Sequence, residues 1–238
     1  MEEKDLPKPE RKVYRLNDPQ RRAIAKSTRE LRSADEEFDA AFQILQKYPR
    51  RVTFFGSARL NAHTKYYRLA RELSGKLAGN GFAIMSGGGG GIMEASDRGA
   101  YEGDDVAIGF NIKLPHEQHV NPYTTEQMTF NFFFTRKVMM TFYAEAFVIF
   151  PGGYGTFDEC FEVLTLMQTG KMPRVPVFLV GKDFWKGIDK FIKKHMLKSG
   201  LISKGDEKLY TITDDVKSIH RKLVRDNVEA RAKAQKPF

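Results

Sequence analysis

An open parallel α/β sheet flanked by helices is the architecture that this 238-residue chain predicts. Short apolar runs alternate with longer stretches of helical period, and two of the runs end in glycine-rich turns that open directly into a helix. Strand, glycine turn and helix in that order is the unit with which such sheets bind ligands at their carboxyl edge.

The elements follow in chain order. Residues 1–18, with Pro7, Pro9 and mixed charges around Arg11, read as a mobile tail. Residues 19–50 form a helical extension: Pro19 opens one or two helices whose apolar stripe, Ile24, Leu31, Phe38, Phe42 and Leu45, can pack on the chain's own sheet or across a subunit boundary. The single catalytic domain spans residues 51–214. Val52 to Gly56 start the sheet, and an amphipathic helix from Tyr66 to Leu77 leads to a strand from Phe82 to Met85. A helix from Ile92 to Tyr101 precedes a strand from Val106 to Ile112. Thr129 to Phe133 can add a strand and Thr135 to Tyr143 a helix. Ala146 to Phe150 are a buried strand, followed by a helix marked by Phe161, Leu164 and Met167. Val175 to Val180, a helix from Trp185 to Leu197, Tyr210 to Thr213 and a C-terminal helix over 215–238 complete the series, which is Rossmann-like in its alternation.

The turn Pro151-Gly152-Gly153-Tyr154-Gly155-Thr156 is nearly all backbone. Peptide N–H groups can approach a ligand there, and the following helix adds unpaired N–H groups and the positive end of its dipole, which together make an anion site. Glu159 stands one turn into that helix. The second turn, Ser86 and the glycines Gly87 to Gly91, opens a helix at Ile92. Glycine amides of the two turns with the Thr156 hydroxyl can anchor a phosphate. Breaking an N-glycosidic bond builds positive charge on a ribosyl carbon, so a carboxylate beside a phosphate anchor suits that chemistry. Glu159 can hold ribose hydroxyls, stabilise the cation or orient water, and the three roles stay open. Arg136 offers a planar fork to phosphate or carboxylate, whereas Lys137 reads as a helix-surface charge or a salt-bridge partner. Glu94 and Asp158 suit a site or merely a helix N-terminus.

These residues resemble the Lonely Guy (LOG) family, long labelled "possible lysine decarboxylase", in its longer bacterial type. The resemblance rests on Phe55-Gly56-Ser57-Ala58-Arg59, Gly87 through Ala95, Thr135-Arg136-Lys137 and Pro151 through Glu159, and it runs from about Val52 to about Asp214. It implies hydrolysis of nucleoside 5′-monophosphates, AMP or N6-substituted adenine ribotides such as cytokinin riboside monophosphates, to free base and ribose 5-phosphate. A non-catalytic nucleotide-binding or sensing module of the same fold is the alternative. Arg136 and Glu159 fall on the family's catalytic positions. The implied substrate and phosphate set is Gly56, Ser57, Gly88, Gly89, Gly90, Glu94, Arg136, Lys137, Gly152, Gly153, Tyr154, Gly155 and Thr156. Phe133-Phe134-Thr135 replace the Met-His-x that precedes Arg-Lys in short plant members, a departure bearing on cytokinin specificity. A homo-oligomer built on a two-fold dimer, extending to hexamers in the longer type, is also implied.

Composition narrows the alternatives. The 41% hydrophobic content supports a buried core, and no run reaches the roughly 18 apolar residues of a membrane span. One cysteine, Cys160, and an N-terminus without an apolar signal core point to a cytoplasmic protein. The net charge of +9 does not indicate nucleic acid: residues 51–181 hold 12 basic and 12 acidic side chains, and the excess lies on helix faces at either end. His116-Glu117-Gln118-His119 lacks the helical His-Glu-x-x-His spacing, so no metal is called for. No cofactor is needed either. The glycine run follows the second strand and not the first, against a dinucleotide-binding oxidoreductase, and nothing marks a Schiff-base lysine. Cys160 has no histidine partner in sequence and is no nucleophile. Phe130 to Phe134 read as core or subunit interface, with base stacking a minor alternative.

Overall fold

β1 (Arg51–Phe55) pairs in parallel with two strands that are far apart in sequence, β2 (Ala83–Ser86) on one side and β5 (Ala146–Ile149) on the other. From that centre the chain first builds outward through β3 (Ala107–Ile112) and β4 (Glu126–Phe130), then returns and builds the other way through β6 (Val177–Val180) and β7 (Thr211–Thr213). The result, in a computed structural model describing residues 16–114 and 120–234, is a seven-stranded sheet of order β4-β3-β2-β1-β5-β6-β7 whose pairings are all parallel. The order reverses between β1 and β5, so their carboxyl ends flank the crevice where open α/β sheets bind ligands.

Strand periodicity assigns the two faces. Val52, Phe54, Ile84, Val148 and Val180 face α3 (Lys65–Ala78), α4 (Ile92–Tyr101) and α8 (Val216–Ala234). Phe55, Met85, Phe110, Phe147 and Leu179 face α5 (Phe133–Thr141), α6 (Tyr154–Gln168) and α7 (Lys182–Phe191), which continues as a π-helical segment, Ile192–Leu197. Phe54 stacks on Phe150 and Phe55 on Phe147, so each face of the β1–β5 pair carries an aromatic ladder.

The described residues divide into two compact units, with the boundary between Glu36 and Glu37. In the first, α1 (Asp18–Leu31) opens on a reciprocal cap: Asn17 Oδ1 accepts from the Gln20 N–H at 2.9 Å, and Gln20 Oε1 accepts from the Asn17 N–H at 3.0 Å. α2 (Ala34–Leu45) carries Ala41 and Leu45 into the second unit's core, so this part of the extension packs on its own sheet. Arg51 then ties the chain leaving α2 to the start of β1. Its guanidinium donates to the carbonyls of Leu45 at 2.8 Å, Tyr143 at 2.6 Å and Tyr48.

Strand β4 departs from the sequence expectation. It runs over Glu126–Phe130 and not from Thr129 to Phe133, because residues 126–130 pair with Ile108–Ile112 at the sheet's edge. An edge strand is half-exposed, so Glu126, Gln127 and Thr129 give no apolar run to read. Phe133 consequently starts a helix. Among the described residues no helix is long and apolar enough to cross a membrane.

Candidate active site

Three loops leave the carboxyl edge side by side and are sewn together through Ser57. Its N–H donates to the Pro151 carbonyl at 3.0 Å, and its own carbonyl accepts from the Ile92 N–H at 3.0 Å. The loop after β1 thus joins both glycine turns. Contact is too close for side chains: a Cβ on Gly91, which has φ of 69°, would stand 2.2 Å from the Ser57 carbonyl oxygen, and one on Gly152 would stand 2.0 Å from Thr156 Oγ1. Gly56 is likewise pressed against Ile92.

A cleft of about 650 Å³ opens over this junction. Gly56, Ser57, Gly153, Tyr154, Gly155, Thr156, Arg136 and Glu159 line it, so most of the predicted set converges. No side chain caps α6, and a Cβ at Gly153 or Gly155 would meet nothing within 4 Å. The first N–H groups of the helix therefore face open cleft. α7 differs, since Asp214 Oδ1 accepts from the N–H groups of Gly181 and Lys182 at 2.9 and 3.0 Å. One helix start is satisfied by a side chain and the other has no side-chain cap.

Arg136 and Glu159 meet beneath that helix start. Arg136 Nη1 lies 3.8 Å from Glu159 Oε1, and the two side chains are only 11% and 9% exposed. The guanidinium is held by its Nε, which donates to the Phe110 carbonyl at 2.7 Å. It also crosses Gly87, where a Cβ would come within 2.3 Å of Nη2. Burial lowers the Arg136 pKa, opposed by the Glu159 charge. Burial pushes the Glu159 carboxyl up to about 7, against the downward pull of Arg136 and Lys137. Glu159 Oε2 is buried without a hydrogen-bond partner. A buried acceptor left in that state is one that a substrate hydroxyl can satisfy.

The remaining predicted residues stand apart from the cleft wall. Lys137 turns away from it and bridges Asp158 and Glu162 at 2.7 and 2.8 Å, the salt-bridge alternative of the two readings. Glu94 accepts from the Tyr67 hydroxyl at 2.7 Å. Gly88, Gly89 and Gly90 lie behind the lining, in a loop clamped from below. Asp97 Oδ2 accepts from Ser86 Oγ and from Asn121 Nδ2, each at 2.7 Å. Ser86 Oγ accepts in turn from the Gly88 N–H at 2.9 Å, while Asn121 donates through its N–H to the Gly88 carbonyl and through Nδ2 to that of Gly89. Burial pushes Asp97 up to about 7. The sequence did not single out Asp97 or Asn121, because a lone Asp on a helix and an Asn before a proline read as ordinary punctuation. Arg59, Gly87, Met93, Phe133 and Asp158 also line the cleft. Of these, Met93 and Phe133 carried no chemical signal.

Cys160 is buried and its thiol is pushed up to about 12 by desolvation, the reverse of an activated nucleophile. The His116 to His119 run lies outside the described residues.

The family model described as "Possible lysine decarboxylase" matches residues 93–223, more than half the chain and including α5, β5 and α6. The chain belongs to this family, the LOG family. It is 31% identical over 148 residues to the cytokinin riboside 5′-monophosphate phosphoribohydrolase LOG2 of Arabidopsis thaliana, spanning 61% of this chain and 69% of that one. It is 26% identical over 173 residues to the bacterial cytokinin riboside 5′-monophosphate phosphoribohydrolase of Rhodococcoides fascians, spanning 71% and 86%. In fold it is similar to the molybdenum cofactor carrier protein of Chlamydomonas reinhardtii, with a TM-score of 0.55 at 20% identity over 74% of this chain and 96% of that one. The LOG-family sheet order and the glycine turns at its switch point are thus the setting in which the Arg136–Glu159 pair is buried.

Two carboxyls with raised pKa couple the site to stability. The unperturbed values are 4.5 for Glu159 and 3.8 for Asp97, and the folded values are both about 7. The folded state therefore holds protons that the unfolded chain has released. The stabilisation is full below about pH 4 and is lost as pH rises through about 7. Urea titrations from pH 5 to 8.5 should show wild type losing stability relative to Glu159→Gln and Asp97→Asn as pH increases. A gap independent of pH would contradict these protonation states.

Proposed function

We propose that the protein hydrolyses the N-glycosidic bond of nucleoside 5′-monophosphates, releasing free base and ribose 5-phosphate, with AMP or an N6-substituted adenine ribotide as substrate. One observation carries this reading: an uncapped helix start and a buried Arg–Glu pair with an unpartnered carboxylate oxygen share one cleft. The names of the family relatives, phosphoribohydrolases at 26% and 31% identity, support it.

The 5′-phosphate occupies the start of α6, where the N–H groups around Gly153 to Thr156 and the helix dipole receive its charge, and Arg59 adds a cation at the rim. That placement sets the ribose over Glu159, one turn along. Oε2 accepts from a ribose hydroxyl, and the carboxylate charge stabilises the cation that develops as the C1′–N bond lengthens. The bonding pair leaves with the base, which takes up a proton. Water adds to C1′ and gives up its proton, completing ribose 5-phosphate. Arg136 opposes the effect of burial on Glu159 and so favours its ionised form, and its guanidinium can hold the nucleotide. Recognition of N6-substituted over plain adenine, and thereby any part in cytokinin activation, is the finer aspect of this proposal.

We further propose a homo-oligomer based on a two-fold dimer, set in the cytoplasm. Phe133 and Tyr154, the latter 97% exposed, line the cleft, and Phe134 and Phe161 are also exposed; large apolar side chains left open beside a site suit a subunit interface. Light scattering at micromolar concentration should give at least a dimer mass, and a fully active monomer would remove this assignment.

For the chemistry, Glu159→Gln and Arg136→Ala should each lower turnover by at least about 100-fold in a folded protein. Adenosine should be cleaved at least about 100-fold less efficiently than AMP, since it forfeits two or more charge-assisted hydrogen bonds. ATP should also be poor, and Gly153→Val, whose side chain would project into the open cleft, should impair AMP cleavage. Equal rates on AMP and adenosine, or an unimpaired valine variant, would refute the phosphate anchor.

A further inference from the structure

We propose that Glu37, on helix α2 ahead of the sheet, is a positioning residue that fixes Arg136 by fastening the first turn of α5. The inference rests on the proposed hydrolysis and assigns it a residue outside the family-matched segment.

The sequence around Glu37 is Asp35-Glu36-Glu37-Phe38-Asp39, which reads as a solvated acidic face. Glu37 is nevertheless only 6% exposed. It falls four residues before Ala41 and eight before Leu45, on the stripe that packs into the core. A carboxylate in such a place is costly unless its oxygens are satisfied, and here both are. Oε1 accepts from the Asn131 N–H at 2.7 Å and from Asn131 Nδ2 at 2.9 Å, and Oε2 accepts from the Thr135 hydroxyl at 2.5 Å.

Every one of these partners lies in the turn that starts α5. That helix runs over Phe133–Thr141, and its N-cap position, Phe132, supplies no capping side chain. Glu37 braces this turn from another element: its oxygens hold Asn131, just ahead of the helix, and the Thr135 side chain within its first turn, and its carboxylate lies toward the positive end of the helix. Thr135 and Arg136 are neighbours whose side chains leave in different directions, the first to Glu37 and the second to the cleft. The start of α5 is therefore held from two sides, by Glu37 on one and by the Phe110 carbonyl on Arg136 Nε on the other.

The tolerance is narrow. The guanidinium passes through the space left by the missing Cβ of Gly87 and stops 3.8 Å from Glu159. Rotation of the first turn would drive it into the glycine loop or away from the carboxylate. A misplacement of about 1 Å is enough to cost on the order of 100-fold in rate.

The test is a double-mutant cycle with AMP as substrate, joined to hydrogen exchange. Glu37→Ala should lower kcat about 10-fold or more while KM changes little. In an Arg136→Ala background the same substitution should cost less than about 2-fold, because the group it positions is gone. Glu37→Gln, which keeps an acceptor for Asn131, should retain most of the activity and serves as the folded control. Amides of residues 131–136 should exchange faster in Glu37→Ala, with those of β1 and β5 unchanged. Equal losses in both backgrounds would overturn the proposal. So would unchanged exchange at residues 131–136, whether or not AMP is cleaved. Absence of base release from AMP by the wild type would instead strike the proposed function.

Discussion

Parallel hydrogen bonding between β1 and β5 fixes the position of everything chemical in this protein. The register Phe55↔Ile149 makes the two strands end together, so the loop at Ser57 and the turn at Pro151 emerge at one level and bond to each other. Because the sheet grows in opposite directions from this pair, no crossover helix fills the gap above it. The crevice follows from topology alone. What the sequence adds is glycine where backbones must touch, and charge where the crevice floor is dry.

Dryness sets the chemical character of the floor. Arg136 and Glu159 are both nearly excluded from solvent, so their interaction is weakly screened and their ionisation depends on each other. Desolvation raises the Glu159 carboxyl and the arginine pulls it down again, leaving it at about 7. A carboxyl poised near 7 is suited to act on a developing cation at neutral pH. The pair stays 3.8 Å apart, short of a tight bidentate contact, and so keeps capacity for a ligand. The supports are also buried and polar. Asp97 clamps the five-glycine loop through Ser86 and Asn121, and Glu37 receives the start of α5.

Sequence reading succeeded where one local pattern carries the information. The turn from Pro151 to Thr156 must expose amides whatever surrounds it, and Glu159 follows at helical spacing, so both were legible. Central strands were legible because burial on both faces makes them continuously apolar, as in Ala146 to Ile149. Edge strand β4 was misplaced because its outer residues are half-exposed. Lys137 was legible as a salt-bridge partner: adjacent helix positions diverge by about 100°, so it faces Asp158 and Glu162 while Arg136 faces the cleft. Asp97, Asn121 and Glu37 were not legible as support. Each earns its role from a partner more than 20 residues away in sequence, such as Asn131 for Glu37 or Asn121 for Asp97. The spacing of Glu37 with Ala41 and Leu45 was the one available hint that this acidic residue points inward.

The central claim is that the cleft above the β1–β5 junction breaks the bond between ribose and base. Chromatographic identification of everything formed when the purified protein acts on AMP tests it most directly. Adenine and ribose 5-phosphate in equal amounts are the predicted products. Adenosine with inorganic phosphate, or intact AMP after prolonged incubation, would contradict the account.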